Sequence, residues 1–259
     1  MAFAVQVLAQ TSTPSATPSS GAPSSGAPSS GAPSSGAPSS GAPSSAAPSS
    51  AAPKGHPNTA SGGWRPLFAS DLSDAGFPKG VWSMDDGGIL TATADKAIWT
   101  AIPYDDFILD LLFKTADGTN SGVVVHASDT TNWIPNSVEI QIADDYAKQW
   151  AESPKNWQCG AFFGHQAATK QQIVKKPDEW NRYTVTCQGK LIYIVLNNQL
   201  VNTIDLSTFT SAKTNPDGSE IPAWLSKAPA DLPLRGYIGL QGKHAGAPIY
   251  FRNLKIKVL

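Results

Sequence analysis

Residues 137–145 read SVEIQIADD. Apolar and polar side chains alternate, with Val138, Ile140 and Ile142 on one parity and Glu139 and Gln141 on the other. Successive side chains of a strand point to opposite faces, so one carboxylate and one amide leave the sheet together. A carboxylate can take or give a proton, and a neutral amide can hydrogen-bond a hydroxyl. A solvated strand face with a turn closed by Asp144 and Asp145 accounts for the same residues without chemistry.

Parity adds further residues to that face. Asp110 opposes the stripe Phe107, Leu109, Leu111 and Phe113 in DFILDLLFK. In NSGVVVHAS, Val124 and His126 share one parity; if Val123 and Val125 are core, His126 points outward. In GYIGLQG, Ile238 and Leu240 read as core, which leaves Tyr237, Gly239 and Gln241 opposite, the small Gly239 making room for a ligand. One surface is then expected to carry Asp110, His126, Glu139, Gln141 and Gln241. Retaining glucanases on jelly rolls carry two carboxylates about 5 Å apart. Here the middle acid of that strand pattern is Gln141, in Glu139-Ile-Gln141-Ile-Ala-Asp144, which disfavours conventional two-carboxylate hydrolysis.

The elements that must position these groups are strands. GILTATA, AIWTAI, DFILDLLFK, SGVVVHAS, SVEIQIA, CGAFFGH, GYIGLQG and PIYFRNLKIKVL are short strand-like runs between Gly and Pro signals. RYTVTCQGKLIYIVLNNQLVNTID holds two hairpin signals, at Gln188-Gly189-Lys190 and at Asn197-Asn198. No window reads as a long amphipathic helix. Many short strands at near-regular spacing predict an all-β jelly-roll sandwich with a groove on one sheet. Residues 143–157 and 210–233 read as long irregular loops, which in compact domains are usually functional.

The sandwich is expected over residues 64–259, about 200 residues, enough for one core. Every acidic residue and every basic residue except Lys54 lies there, as do all 8 Trp. A slightly acidic domain argues against nucleic acid as partner. The Trp content suits a carbohydrate partner, since aromatic faces stack on sugar rings. Residues 14–63 carry PSSGA five times and then PSSAA twice. Such a segment buries nothing and reads as a disordered linker, with an r.m.s. span of roughly 40 Å. Residues 1–13 read as a shortened secretory signal without a basic n-region, and the tether supports export to the periplasm or the outside. No stretch approaches the roughly 18 apolar residues of a membrane span. The two cysteines, Cys159 and Cys187, either pair in an oxidising compartment or stay reduced and buried.

Residues 64–259 resemble the 3-keto-disaccharide hydrolase domain family. The resemblance rests on WRPLFASDLSDAGF, VWSMDDGGIL, IWTAIPYDDFILDLLFK, NSGVVVH, VEIQIADD, CGAFFG, EWNRYTVTCQGKLIYIVLNNQLV and GYIGLQGKHAGAPIYFRNLKIKVL, in that order. It departs from the family pattern at His126, where Arg is usual, and in GLQGKHAG, which has one extra residue before His244. The resemblance implies a concanavalin-like β-sandwich acting on 3-keto-glycosides: abstraction of the C2 proton, elimination of the C1 substituent, then hydration. That route implies Glu139 or His126 as base and His244 as a second acid/base. Asp110, Asn120, Gln141, Trp157, Asn181, Gln241 and Arg252 would hold substrate, and a divalent metal bound through Asp144, Glu139 or the histidines would stabilise an enediolate. A non-catalytic lectin-like module, binding through Trp133 or Trp157, is the competing expectation.

Overall fold

The computed structural model describes residues 51–259. The signal segment expected over 1–13 and the repeats up to residue 50 lie outside the described residues. The rest forms thirteen strands, β1 (Arg65–Pro66), β2 (Ala75–Gly76), β3 (Trp82–Met84), β4 (Leu90–Ala92) and β5 (Ile98–Thr100) being the first five. Then come β6 (Phe107–Thr115), β7 (Asn120–Ala127), β8 (Val138–Ala143) and β9 (Trp180–Gln188). The last are β10 (Leu191–Leu196), β11 (Gln199–Asp205), β12 (Tyr237–Leu240) and β13 (Ile249–Val258). The one α-helix among the described residues is Lys148–Ala151.

Two antiparallel sheets result. The larger runs β11-β10-β9-β6-β13-β4-β3, with β1 also paired to β13; the smaller runs β2-β5-β12-β7-β8. Their inner faces meet in one core. Phe107, Leu109, Leu111 and Phe113 of β6 are fully buried there, facing Val123 and Val125 of β7 and Val138, Ile140 and Ile142 of β8. Each such side chain stabilises the fold by roughly 1.5–3 kcal/mol relative to exposure. The expected jelly-roll sandwich is the fold.

Both expected hairpins form. β9 and β10 turn at Gly189, and β10 and β11 turn at Asn197 and Asn198, all three with positive φ. Asn tolerates that left-handed conformation better than most residues, which is why Asn-Asn marks the turn. CGAFFGH, in contrast, is not a strand. Gly160 and Gly164 adopt φ of 88° and 74° and bend the chain at both ends. Only isolated bridges from Phe162 to Ile140 and Gln166 remain. Cys159 and Cys187 are free and buried, and burial pushes both thiols up.

The end of the expected linker is not loose. Residues 54–59 lie against the outer face of the larger sheet. The His56 backbone N–H donates to the Asn198 side chain (3.2 Å), and the Asn198 backbone N–H donates to His56 Nε2 (2.8 Å). His56 Nδ1 meets Thr184 Oγ1 at 2.8 Å, and Arg182 donates to the Pro57 carbonyl.

Candidate functional site

The outer face of the smaller sheet is a grid that register alone defines. Antiparallel partners share a face, so each row can be read across the strands. One row runs Gln141 on β8, Gly122 on β7, then Gln241 just beyond β12, whose backbone N–H donates to the Gly122 carbonyl. The next runs Glu139 on β8, Val124 on β7, Gly239 on β12 and Trp99 on β5. Asn120 stands two residues before Gly122 and bridges to His244, adding a third polar row. Glu139, Gln141, Gln241, Asn120 and His244 thus gather on one face.

Gly122 makes room for the Glu139 side chain. A Cβ there would come within 2.3 Å of Glu139 Oε1. The absent side chain lets the carboxyl lean across β7 toward Gln241. Burial pushes the Glu139 carboxyl up to about 8; His244 opposes that shift and Asp95 adds to it. His244 Nδ1 sits 2.7 Å from Asp95 Oδ2, and that hydrogen bond raises the imidazole's proton affinity. Gln141 Nε2 donates to Asn120 Oδ1 at 2.9 Å, fixing both amides. Gln241 Oε1 is buried with no partner among the described residues. A buried acceptor without a donor is costly, so it is suited to a ligand hydroxyl. Asp95 was missed in the sequence because nothing in TATADKAIW marks a loop carboxylate as the partner of a histidine almost 150 residues later.

Other expected residues go elsewhere. His126 does not face outward. Ala127 pairs with Tyr237 and Val124 with Gly239, so a bulge puts an extra residue on β7. His126 takes φ 54° and turns its ring inward, 6.5 Å from the Phe107 ring centroid. Its Nδ1 bonds the Leu234 carbonyl, and burial lowers its proton affinity. Asp110 lies on the outer face of the other sheet, bound to Arg182 Nε (3.0 Å) and Thr184 Oγ1 (2.6 Å). Arg252 is on that sheet too, its guanidinium 4.0 Å from the Trp180 ring centroid. Asn181 is fully buried on β9, taking N–H groups from Lys175 and Asn197. Asp144 is fully buried and accepts from the backbone N–H groups of Gly118 and Tyr146, so it closes the turn after β8. Among the described residues no group of three or more His, Cys, Asp or Glu is arranged to hold a metal ion. Gly239 leaves no room for a ligand either: the Trp99 ring fills the space, 2.4 Å from where a Cβ would stand.

Trp157 reaches the rim of the gathered face. Phe163 stands beside Glu139, its N–H donating to the Glu139 carbonyl (3.0 Å). Trp157 packs on Phe163 with ring centroids 5.4 Å apart and on the half-exposed Trp224 at 6.2 Å. Across the face, a groove of about 790 Å³ opens beside β5 and β12, with Trp99, Trp133, Tyr237, Gln241 and His244 in its lining.

A jelly-roll sandwich with a carboxyl, an imidazole and amides between two aromatic groups is a carbohydrate-active domain of the glycosidase-like kind. Residues 63–257 match the family model of the 3-keto-alpha-glucoside-1,2-lyase-like domain, and the chain belongs to that family. A solved candidate glycosyl hydrolase from Parabacteroides distasonis ATCC 8503 is 51% identical, with a TM-score of 0.74, over 76% of this chain and 99% of that one. A second candidate glycosyl hydrolase from the same organism is 22% identical with a TM-score of 0.61, over 76% of this chain and 94% of that one, and shares the fold. No curated protein matches the chain.

Proposed function

We propose that the domain cleaves 3-keto-glycosides by elimination and hydration. The observation that carries this reading is a single carboxyl, raised to about 8, beside a histidine whose proton affinity is raised by Asp95. A 3-keto group acidifies the C2 proton. Glu139 takes that proton as the C2–H electron pair moves into an enediolate, for which Gln141 and Gln241 are the nearest amides. The C1–O bond then breaks and protonated His244 gives its proton to the leaving oxygen. In the second half, water adds its oxygen to C1 of the enone. His244 takes the water proton and the Glu139 carboxyl returns its own to C2. Protons and electrons balance, and the net change is hydrolysis. Among the side chains of this face, Glu139 is the carboxyl free to act, since Asp95 is engaged by His244.

Asn120 holds Gln141 in place, and Trp157 offers a stacking surface for the keto ring. The proposed location is the periplasm or the cell exterior, following the apolar start and the tether. The half-exposed Trp224 beside Trp157 favours a second reading, a lectin-like module that binds without turnover. Incubation with 3-keto-disaccharides separates the two. The enzyme releases the leaving sugar far above the buffer rate, and Glu139→Gln stops release while binding persists. Release at the buffer rate with measurable binding leaves the lectin.

A further inference from the structure

The face of the smaller sheet is not uniform. Its Asn120–His244 and Gln141–Gln241 rows are polar. Beyond them a second hydrophobic cluster sits outside the sandwich core: Trp99, Val124 and Ala127, with Trp133 and Tyr237 packed against it. Such a cluster on the outer face of a sheet is unusual, because the antiparallel rule predicts polar residues there. Trp99 lies over Gly239, and Trp133 stands edge-on to it at 6.1 Å and 63°. The two rings make a corner, floor and wall, inside the groove of about 790 Å³. That volume is within the range of small-molecule sites and is divided between an apolar end and a polar end.

Polarity sets the orientation. His244 and Gln241 belong both to the polar rows and to the groove lining. If His244 protonates the leaving oxygen, the leaving group must lie on the His244 side, which is the groove side. The Glu139 carboxyl lies over Gly122 of β7 and the Trp99 ring over Gly239 of β12, neighbouring strands about 4.8 Å apart. Two rings joined through one glycosidic oxygen sit side by side at about that separation. The ring over Glu139 meets carboxyl and amides; the ring in the corner meets indole.

We propose that the Trp99–Trp133 corner is a leaving-group subsite for a flat apolar aglycone, so that the domain prefers aryl glycosides. This rests on the reaction proposed above for its orientation, but not for its detection, because binding can be read without turnover. Edge-on aromatic packing contributes beyond area burial.

The test uses the full-length Glu139→Gln protein and the phenyl and methyl 3-keto-glucosides, titrated by calorimetry in both anomeric forms. The phenyl compound should bind at least tenfold more tightly than the methyl compound in one anomeric series. Adding Trp133→Ala should reduce that ratio to under threefold, mainly by weakening the phenyl compound. Trp133→Leu, which keeps an apolar side chain in the loop, should give an intermediate ratio if the protein folds as before by circular dichroism. Equal affinities in the parent, no binding of the phenyl compound, or a ratio untouched by either substitution overturns the subsite. Turnover by the wild-type protein is scored separately. A phenyl preference without any turnover removes the proposed reaction and leaves the subsite standing.

Discussion

The two outer faces of the sandwich carry similar residues and treat them differently. On the larger sheet, Asp110, Arg182, Thr184 and His56 are tied to one another, and Arg252 is stacked on Trp180. On the smaller sheet, the Glu139 carboxyl lies over a glycine, Gln241 Oε1 has no partner among the described residues, and His244 is half-exposed. The first face satisfies most of its polar groups internally, Arg252 Nε being left without a partner among the described residues, and is partly covered by residues 54–59. The second leaves groups for something else to satisfy. A polar residue opposite a hydrophobic stripe is therefore no evidence of a site. The evidence is whether its hydrogen-bonding capacity is already used.

Substitutions can break that contrast, beginning with the largest effect. Glu139→Gln should lower turnover of a 3-keto-glycoside by about 100- to 10,000-fold, the usual worth of a positioned base. It should also change stability in a defined way. The folded carboxyl holds its proton up to about pH 8, against an ordinary value of 4.5. Its contribution is full below about pH 4.5 and is lost as pH rises through about 8. Denaturant titrations across that window should show a falling slope that Glu139→Gln flattens.

Gly122→Ala sharpens the same contrast without touching a reactive group. Its Cβ collides with the carboxyl, so turnover should fall about 10- to 100-fold while the far face is unaffected. Kinetics with an intact near-ultraviolet spectrum checks this.

Asp110→Ala tests the other face. Leaving Arg182 without its acid should cost about 2 kcal/mol in urea denaturation, with turnover within twofold of wild type. A large loss of turnover would put Asp110 in the site and defeat the comparison.

Asp95→Asn acts more gently on His244. Activity should rise with pH as Glu139 loses its proton and fall as His244 loses its own. Without the Asp95 charge the whole rate profile should move to lower pH, because that carboxylate raises both the imidazole and the Glu139 carboxyl.

The smallest effect is expected at His56. Burial, then Arg182, lower its proton affinity to about 4. Nε2 must stay bare to accept from Asn198, so protonation opposes the clasp. The clasp should be complete above the ordinary value of 6.5 and weaken as pH falls from there to about 4. The protection factor of the Asn198 amide, taken relative to its intrinsic exchange rate at each pH, should fall over that interval, and His56→Ala should remove the dependence with turnover unchanged.

Much of this was legible in the chain. The β6 and β8 stripes, both hairpins and the outward pair Glu139 and Gln141 follow from alternation with period two. Parity failed at His126 because one bulge reverses the facing of the residues it displaces. It failed at Asp110 for a different reason: alternation says which residues leave the core, but not from which of two sheets. CGAFFGH misled because its composition is strand-like while its glycines permit a bend.

The amino-acid order by itself determined the all-β class, the family and the carboxyl–amide pair, because those depend on neighbours within one strand. Tertiary structure decided everything that needs partners far apart in the chain: Asp95 with His244, Gly122 beneath Glu139, and the aromatic corner at Trp99 and Trp133. Register between distant strands sets those contacts, and it is fixed only when two sheets bury their hydrophobic faces against each other.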